Sequence, residues 1–113
     1  MPRKQYEIIA HLFDKKNRLI ATGHNSYTKT HPKQKKMACK VGHSEKIYLH
    51  AEIDALIKAK QKKPFSIHVY RYNKDGMLRN AFPCPICLNA IMSSNIKQIF
   101  FSNNENSISK YTL

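Results

Sequence analysis

At 113 residues the chain has the size of one compact domain, and none of its apolar runs approaches the ~18–20 residues of a membrane-spanning helix, which argues against a membrane protein. Twenty Lys and Arg against seven Asp and Glu leave a formal charge of +13, which suits a polyanionic partner as well as a solvated basic surface. Met1-Pro2-Arg3-Lys4 has no apolar h-region behind it, and three Cys do not make a disulfide scaffold, so the expectation is a cytoplasmic chain whose residues 1–113 form a single domain.

Tyr6, Ile8, Ala10 and Leu12 alternate along one face of a first strand, and Ile9 and Phe13 add apolar side chains to the other, as in a strand covered on both sides. Asp14-Lys15-Lys16-Asn17 turns the chain, and residues 18–22 return as a second strand. Residues 26–47 are polar and Lys-rich, with His31-Pro32 breaking any helix, and read as a long basic loop leading to a site. Ala51, Ala55, Leu56 and Ala59 share overlapping faces of a helix over 50–62, which Lys-rich positions and Pro64 end. Phe65, Ile67 and Val69 alternate as a third strand, and Asn73-Lys74-Asp75-Gly76 is a turn. Leu88, Ile91 and Met92 give a buried stripe to a helix that begins near Cys84-Pro85. Residues 96–102 are a fourth strand and 107–113 a short fifth.

Two motifs carry chemistry: His50-Ala51-Glu52 and, thirty-one residues beyond Glu52, Pro83-Cys84-Pro85-Ile86-Cys87. One His and two Cys can hold Zn²⁺ with a fourth position open to water, whose pKa a zinc ion lowers from ~15.7 to about 7 in well-known cases. Two thiolates and an imidazole leave the metal a mild Lewis acid, so a carboxylate must help take the water's proton. Glu52, in the first turn of the same helix as His50, is placed to do so and then to return protons to the ring nitrogen and the leaving amine. Cys84 and Cys87 are three apart on one helical face and can bite one ion. A Cys-x-x-Cys alone also fits a redox pair or half of a structural zinc finger, but neither needs His-x-Glu upstream.

His-Ala-Glu followed by Pro-Cys-x-x-Cys resembles the cytidine and deoxycytidylate deaminase superfamily, which also holds tRNA adenosine deaminases and polynucleotide cytosine deaminases. Gly23-His24-Asn25-Ser26 resembles that family's Gly-x-Asn segment, and the order of hairpin, metal helix and apolar strand from Asp75-Gly76 to 96–102 is also similar. The resemblance implies a three-layer α/β/α sandwich on a mixed sheet of about five strands, with zinc at the N-termini of two central helices. It implies Zn²⁺ on His50, Cys84 and Cys87, Glu52 as the catalytic acid–base, Asn25 on the substrate sugar, and the backbone of Ala51 and Cys84 on the base or the attacking oxygen. Many members place a helix before the first strand. Here only about five residues precede Tyr6, so one sheet face is expected to be thinly covered, either by a second subunit in a homo-oligomer or by the 26–47 loop.

Six Lys lie between positions 29 and 46, and four more at 58, 60, 62 and 63. A monophosphate needs one or two of them, whereas single-stranded nucleic acid uses many together with aromatic stacking platforms. Tyr27, Tyr48, Phe82 and Phe101 lie near the motifs, and Phe82 and Phe101 are candidate substrate contacts. His31, Cys39 and His43, with His24 nearby, are candidate ligands of a second, structural zinc, set against the plainer reading of a free thiol and solvated imidazoles. The function expected is deamination of a cytosine nucleotide, deoxycytidylate to deoxyuridylate and ammonia. The alternatives are deamination of cytosine or adenine within single-stranded DNA or RNA, and a catalytically silent nucleic-acid-binding protein, against which Glu52 argues.

Overall fold

The structure, a computed structural model, describes residues 6–26, 30–42, 49–60 and 62–113. β1 (Glu7–Phe13) buries Ala10 and Leu12 completely and leaves Ile9, His11 and Phe13 half-buried, which is the alternation read from its sequence. Asp14 builds the turn that follows: one carboxylate oxygen accepts the N–H groups of Lys16 (2.8 Å) and Arg18 (2.9 Å), the other the Arg18 guanidinium (2.8 Å). The chain returns as β2 (Leu19–His24), antiparallel to β1.

Where a loop was expected over 26–47, the chain forms α1 (Pro32–Lys40). His31-Pro32 starts this helix instead of breaking it. The His31 Nδ1 accepts the N–H of Lys33 (3.0 Å), and Pro32 takes the first helical position, where its missing N–H costs nothing. α2 (Ala51–Ala59) follows and is shorter than the expected 50–62, ending at Lys60 with φ 56° and its N–H on the Ile57 carbonyl (3.3 Å).

β3 (Ser66–Tyr72) pairs antiparallel with the free side of β1 and carries the two-residue β4 (Leu78–Arg79) at its end, a strand the sequence reading did not separate from the turn. α3 (Pro85–Ser93) crosses over to β5 (Gln98–Ser102), which lies parallel to β3, and β6 (Ile108–Thr112) returns antiparallel on the outside. The six strands form one mixed sheet in the order β2-β1-β3-β5-β6, with β4 beside β3. Ser102 joins its edge: buried, its Oγ donates to the Arg79 carbonyl (2.6 Å) and accepts the Arg71 N–H (2.9 Å).

α2 lies on β1 and β2 and contacts α3, which in turn contacts α1; their buried Ile, Leu and Ala side chains form one cluster with Ala10, Leu12, Ile67, Val69 and Ile99. Each fully buried Ile or Leu in it is worth roughly 1.5–3 kcal/mol. Small residues set the distance: Ala51, Ala55 and Ala59 face the sheet, and a Cβ on Gly23 would fall on the Ala51 carbonyl and the Ala55 backbone. The α/β class and mixed sheet are as expected, and the described helices share one buried cluster with the Ala10, Leu12, Ile67, Val69 and Ile99 face of the sheet. No described helix covers the face of Ile9, His11, Phe13, His68, Tyr70 and Phe100. None is long and apolar enough to cross a membrane.

Candidate active site

Two helix N-termini build the site. His50 is the residue before α2 and Cys84 the residue before α3; both have extended backbones, and neither side chain caps its helix. Their carbonyls already accept the first helical N–H groups, from Asp54 (2.9 Å) and Leu88 (2.8 Å), so the helices begin there while the side chains are turned to one another. Both positive helix ends then point at a single spot and favour anionic ligands. The Ala81 N–H on the Ser102 carbonyl (2.8 Å) anchors the approach to Cys84 on β5, and the His24 N–H on the Asp54 carboxylate (3.0 Å) anchors α2 on β2.

Cys84 Sγ lies 3.5 Å and Cys87 Sγ 3.3 Å from His50 Nδ1. A tetrahedral zinc with Zn–S ~2.3 Å and Zn–N ~2.05 Å spaces its sulfur and nitrogen ligands about 3.6 Å apart, so these separations are close to the edges of such a tetrahedron. Ligand atoms of the three residues all lie within 4.8 Å of one another. A hydrogen bond from Cys87 holds the Cys84 thiol down to about 3, with His50 adding to the effect, while the same bond and burial push Cys87 well above its usual range. A divalent cation held by His50, Cys84 and Cys87 would take the place of that shared proton and keep both sulfurs as thiolates. The donor set suits zinc.

Glu52 is only 6% exposed. Burial raises its pKa above the usual carboxylate range, against the pull of its own N–H and of His50. A buried carboxyl that takes up protons readily suits a proton shuttle.

Gln34 was not singled out in the sequence. It is fully buried on α1, and its Oε1 accepts the N–H of His50 (3.2 Å), which ties the unexpected helix to the first residue of the candidate metal group. The sequence signal was slight, one Gln among lysines on a helix not foreseen. Asn25 uses its amide on β1: Oδ1 accepts the Ile8 N–H (3.0 Å) and Nδ2 donates to the Tyr6 carbonyl (3.3 Å). Its second amide hydrogen is what remains for a sugar. Phe82 and Phe101 meet edge to face at 5.1 Å between centroids, and Tyr111, also overlooked, packs on Phe82 at 5.5 Å, so the two candidate contacts stand in an aromatic cluster two residues before Cys84.

The proposed second metal set is not brought together among the described residues. His31 and Cys39 stand at opposite ends of α1, eight residues and hence about 12 Å apart, and the His31 Nδ1 is occupied as a cap. His43, Tyr27 and Tyr48 lie outside the described residues.

The sequence matches the family model described as the cytidine and deoxycytidylate deaminase zinc-binding region over residues 2–103. No curated protein sequence matches it. Among solved structures it is similar to the cytidine deaminase from Burkholderia pseudomallei, over 99% of this chain and 79% of that one, at 14% identity and a TM-score of 0.64. It is also similar to a mutant cytidine deaminase from Mycobacterium tuberculosis, over 92% and 76% of the two chains, at 14% identity and a TM-score of 0.52. At such identity the likeness is one of fold. The family match runs through both motifs that meet in space, and the chain accordingly belongs to the cytidine and deoxycytidylate deaminase family, as a zinc-dependent hydrolytic deaminase.

Proposed function

We propose that the chain deaminates a free cytosine nucleoside or nucleotide: the amine at C4 leaves as ammonia and water supplies the oxygen of the uracil product. Deoxycytidylate is the monomer expected from the sequence, and both similar structures are of cytidine deaminases. The observation that carries the reading is the convergence of His50, Cys84 and Cys87 with a buried Glu52 in the same turn as His50.

Zn²⁺ on these three residues supplies a Lewis acid that makes water nucleophilic at neutral pH. Glu52 takes one proton from the water and gives it to N3 of the ring, then takes the second from the new C4 hydroxyl and gives it to the amine, so that the C4–N bond breaks, ammonia leaves and the uracil carbonyl forms. A group so used contributes about 10²–10⁴ in rate. The Phe82–Phe101 pair offers the base an aromatic wall, the backbone at Ala51 and Cys84 positions the base or the attacking oxygen, and Asn25 contributes its remaining amide hydrogen to the sugar.

A free monomer is favoured over a polymer by where the lysines are. Lys58 in the last turn of α2 and Lys60, Lys62 and Lys63 beyond it lie at the C-terminal end of that helix, away from His50 at its N-terminus. Zinc-loaded protein given cytidine, deoxycytidylate and a cytosine-bearing single-stranded oligonucleotide in parallel tests the proposal by the one-dalton mass gain of deamination. Conversion of a monomer with the oligonucleotide untouched is expected, and the ratio of the two monomers reports whether a phosphate is gripped. Conversion of the oligonucleotide alone would overturn it.

A further inference from the structure

The metal-site residues and a cluster of cations without carboxylate partners among the described residues sit at opposite ends of the helical layer. His50 and Cys84 precede α2 and α3, whereas Lys60, Lys62 and Lys63 follow α2, and Ser94 and Asn95 follow α3. Nine residues of helix separate the two ends by about 13 Å. Three grooves meet at the cationic end and all include Lys62. One of ≈ 460 Å³ is lined by Lys33, Lys60, Lys62, Lys63, Ser94 and Asn95 among others. A second of ≈ 600 Å³ has Lys58, Lys60 and Lys62, and a third of ≈ 540 Å³ has Arg18, Lys62 and Lys63 beside Leu19 and Ile20. The one carboxylate lining them, Asp14, is already paired with Arg18 (2.8 Å), and Lys58 is paired with Asp54 (3.0 Å). Lys33, Lys60, Lys62 and Lys63 have no carboxylate partner among the described residues.

The third groove runs onto the open face of the sheet. Leu19, 58% exposed, lines it and is paired with Phe13 across the β1–β2 ladder. On that face one residue from each of five strands stands in a row: Thr22, His11, His68, Phe100 and Lys110. His68 stacks on Phe100 at 4.4 Å and 22°, Phe13 meets His68 edge-on at 4.7 Å, and the Lys110 ammonium stands 5.7 Å over the Phe100 ring. Strands ~4.8 Å apart make such a row about 19 Å long, room for several stacked bases. Burial first, then the charge of a neighbouring imidazole, holds His11 and His68 below the usual range, so at neutral pH both rings are uncharged π surfaces.

An aromatic row beside a track of lysines is the composition that holds a single strand, with phosphates on the cations and bases on the rings. A second copy of the chain is a poorer occupant. It would bring another +13 against this one, and the face offers imidazoles and rings where packed sheets present aliphatic side chains. We propose that the Lys62-centred grooves and the Phe13–His68–Phe100 face together bind single-stranded nucleic acid, as a surface separate from the deaminase site.

The test uses the zinc-loaded full chain and a fluorescein-labelled dT12, which has no cytosine to offer the active site, read by anisotropy against salt. Changing Lys60, Lys62 and Lys63 together to Glu is expected to weaken binding at least tenfold and to lower the log–log salt slope by about 2, at ~0.7 per lost phosphate contact. Phe100→Leu, which keeps an apolar side chain without the π face, is expected to weaken it about fivefold or more. Both variants should keep the wild-type melting temperature and rate of monomer deamination. Absence of dT12 binding at low salt, indifference to the lysine changes, or displacement of dT12 by cytidine would overturn the proposal. So would equal affinity for inorganic polyphosphate together with a silent Phe100→Leu, which would leave an anion groove without base stacking. Preferential binding to phosphatidylserine vesicles that dT12 cannot displace would likewise contradict it.

Discussion

The two ends of the helical layer hold their functional groups by opposite means. At the N-terminal end three ligand atoms are fixed within 4.8 Å by two helix starts, a buried Gln34 and a buried Glu52. At the C-terminal end Lys60, Lys62 and Lys63 are exposed, have no carboxylate partner among the described residues and are grouped only by the chain's exit from α2. A bond-making site needs geometry held to a fraction of an ångström, whereas a polyanion surface needs charge density and tolerates loose side chains. Substitutions should therefore separate them, with large and specific effects at the first end and graded, salt-dependent ones at the second.

The sharpest separation should come from Cys84→Ala. It is expected to lose the zinc, all turnover and about 3 kcal/mol or more of stability, on the order of 15 °C in melting temperature, because the metal ties α2 to α3. Metal analysis and calorimetry on the same sample check this, and a retained zinc would show that the ligand set is wrong. Gln34→Leu should act next most strongly. It strips the acceptor from the His50 N–H inside a buried site, costing about 1–3 kcal/mol and weakening zinc retention in a chelator competition, while dT12 binding stays as it was.

Acid should discriminate the open face from the rest. His11 and His68 have folded pKa values below that of a free imidazole, so in acid the unfolded chain binds more protons than the folded one. Their contribution is complete above about pH 6.5 and is lost as pH falls below it toward the depressed folded values. The urea midpoint of the wild type should fall between pH 7.5 and 5.5 by more than that of a His11→Gln, His68→Gln double variant; parallel falls would exclude these imidazoles. The smallest effect is expected at Lys60, a non-glycine held at φ 56° and ψ −117°. Lys60→Gly should raise stability by up to about 1 kcal/mol while weakening dT12 binding slightly, a trade seen only if the cation is there for the groove.

A contrast between two prolines shows what could be read in advance. Pro85 after Cys84 was legible as a helix start because a ligand pair and an apolar stripe follow it. Pro32 after His31 was read as a breaker, since the residues behind it are lysines and the cap is an imidazole, an uncommon choice beside Ser, Thr, Asp or Asn. The whole of α1 was hidden with it, and so was Gln34, whose partner is sixteen residues away. Strand alternation in β1 and β3 was visible, as was the grouping of His50, Cys84 and Cys87, because the chemistry of the two motifs restricts both residue type and spacing. The cross-strand row of His11, His68 and Phe100 was not, for it exists only once the register brings β1, β3 and β5 side by side. Asn25 shows the converse. Its motif was legible, yet the use of its amide to hold β1 depends on a turn in the chain that no spacing reveals.

The most direct measurement is the turnover of cytidine and deoxycytidylate by wild type and Glu52→Gln, with zinc content determined on the same samples. Equal zinc and equal melting behaviour, with turnover of a monomer in the wild type and a loss of at least about 10² in the variant, is the expected result. Comparable rates in the two proteins, or a fully zinc-loaded wild type that converts neither monomer, would contradict the account.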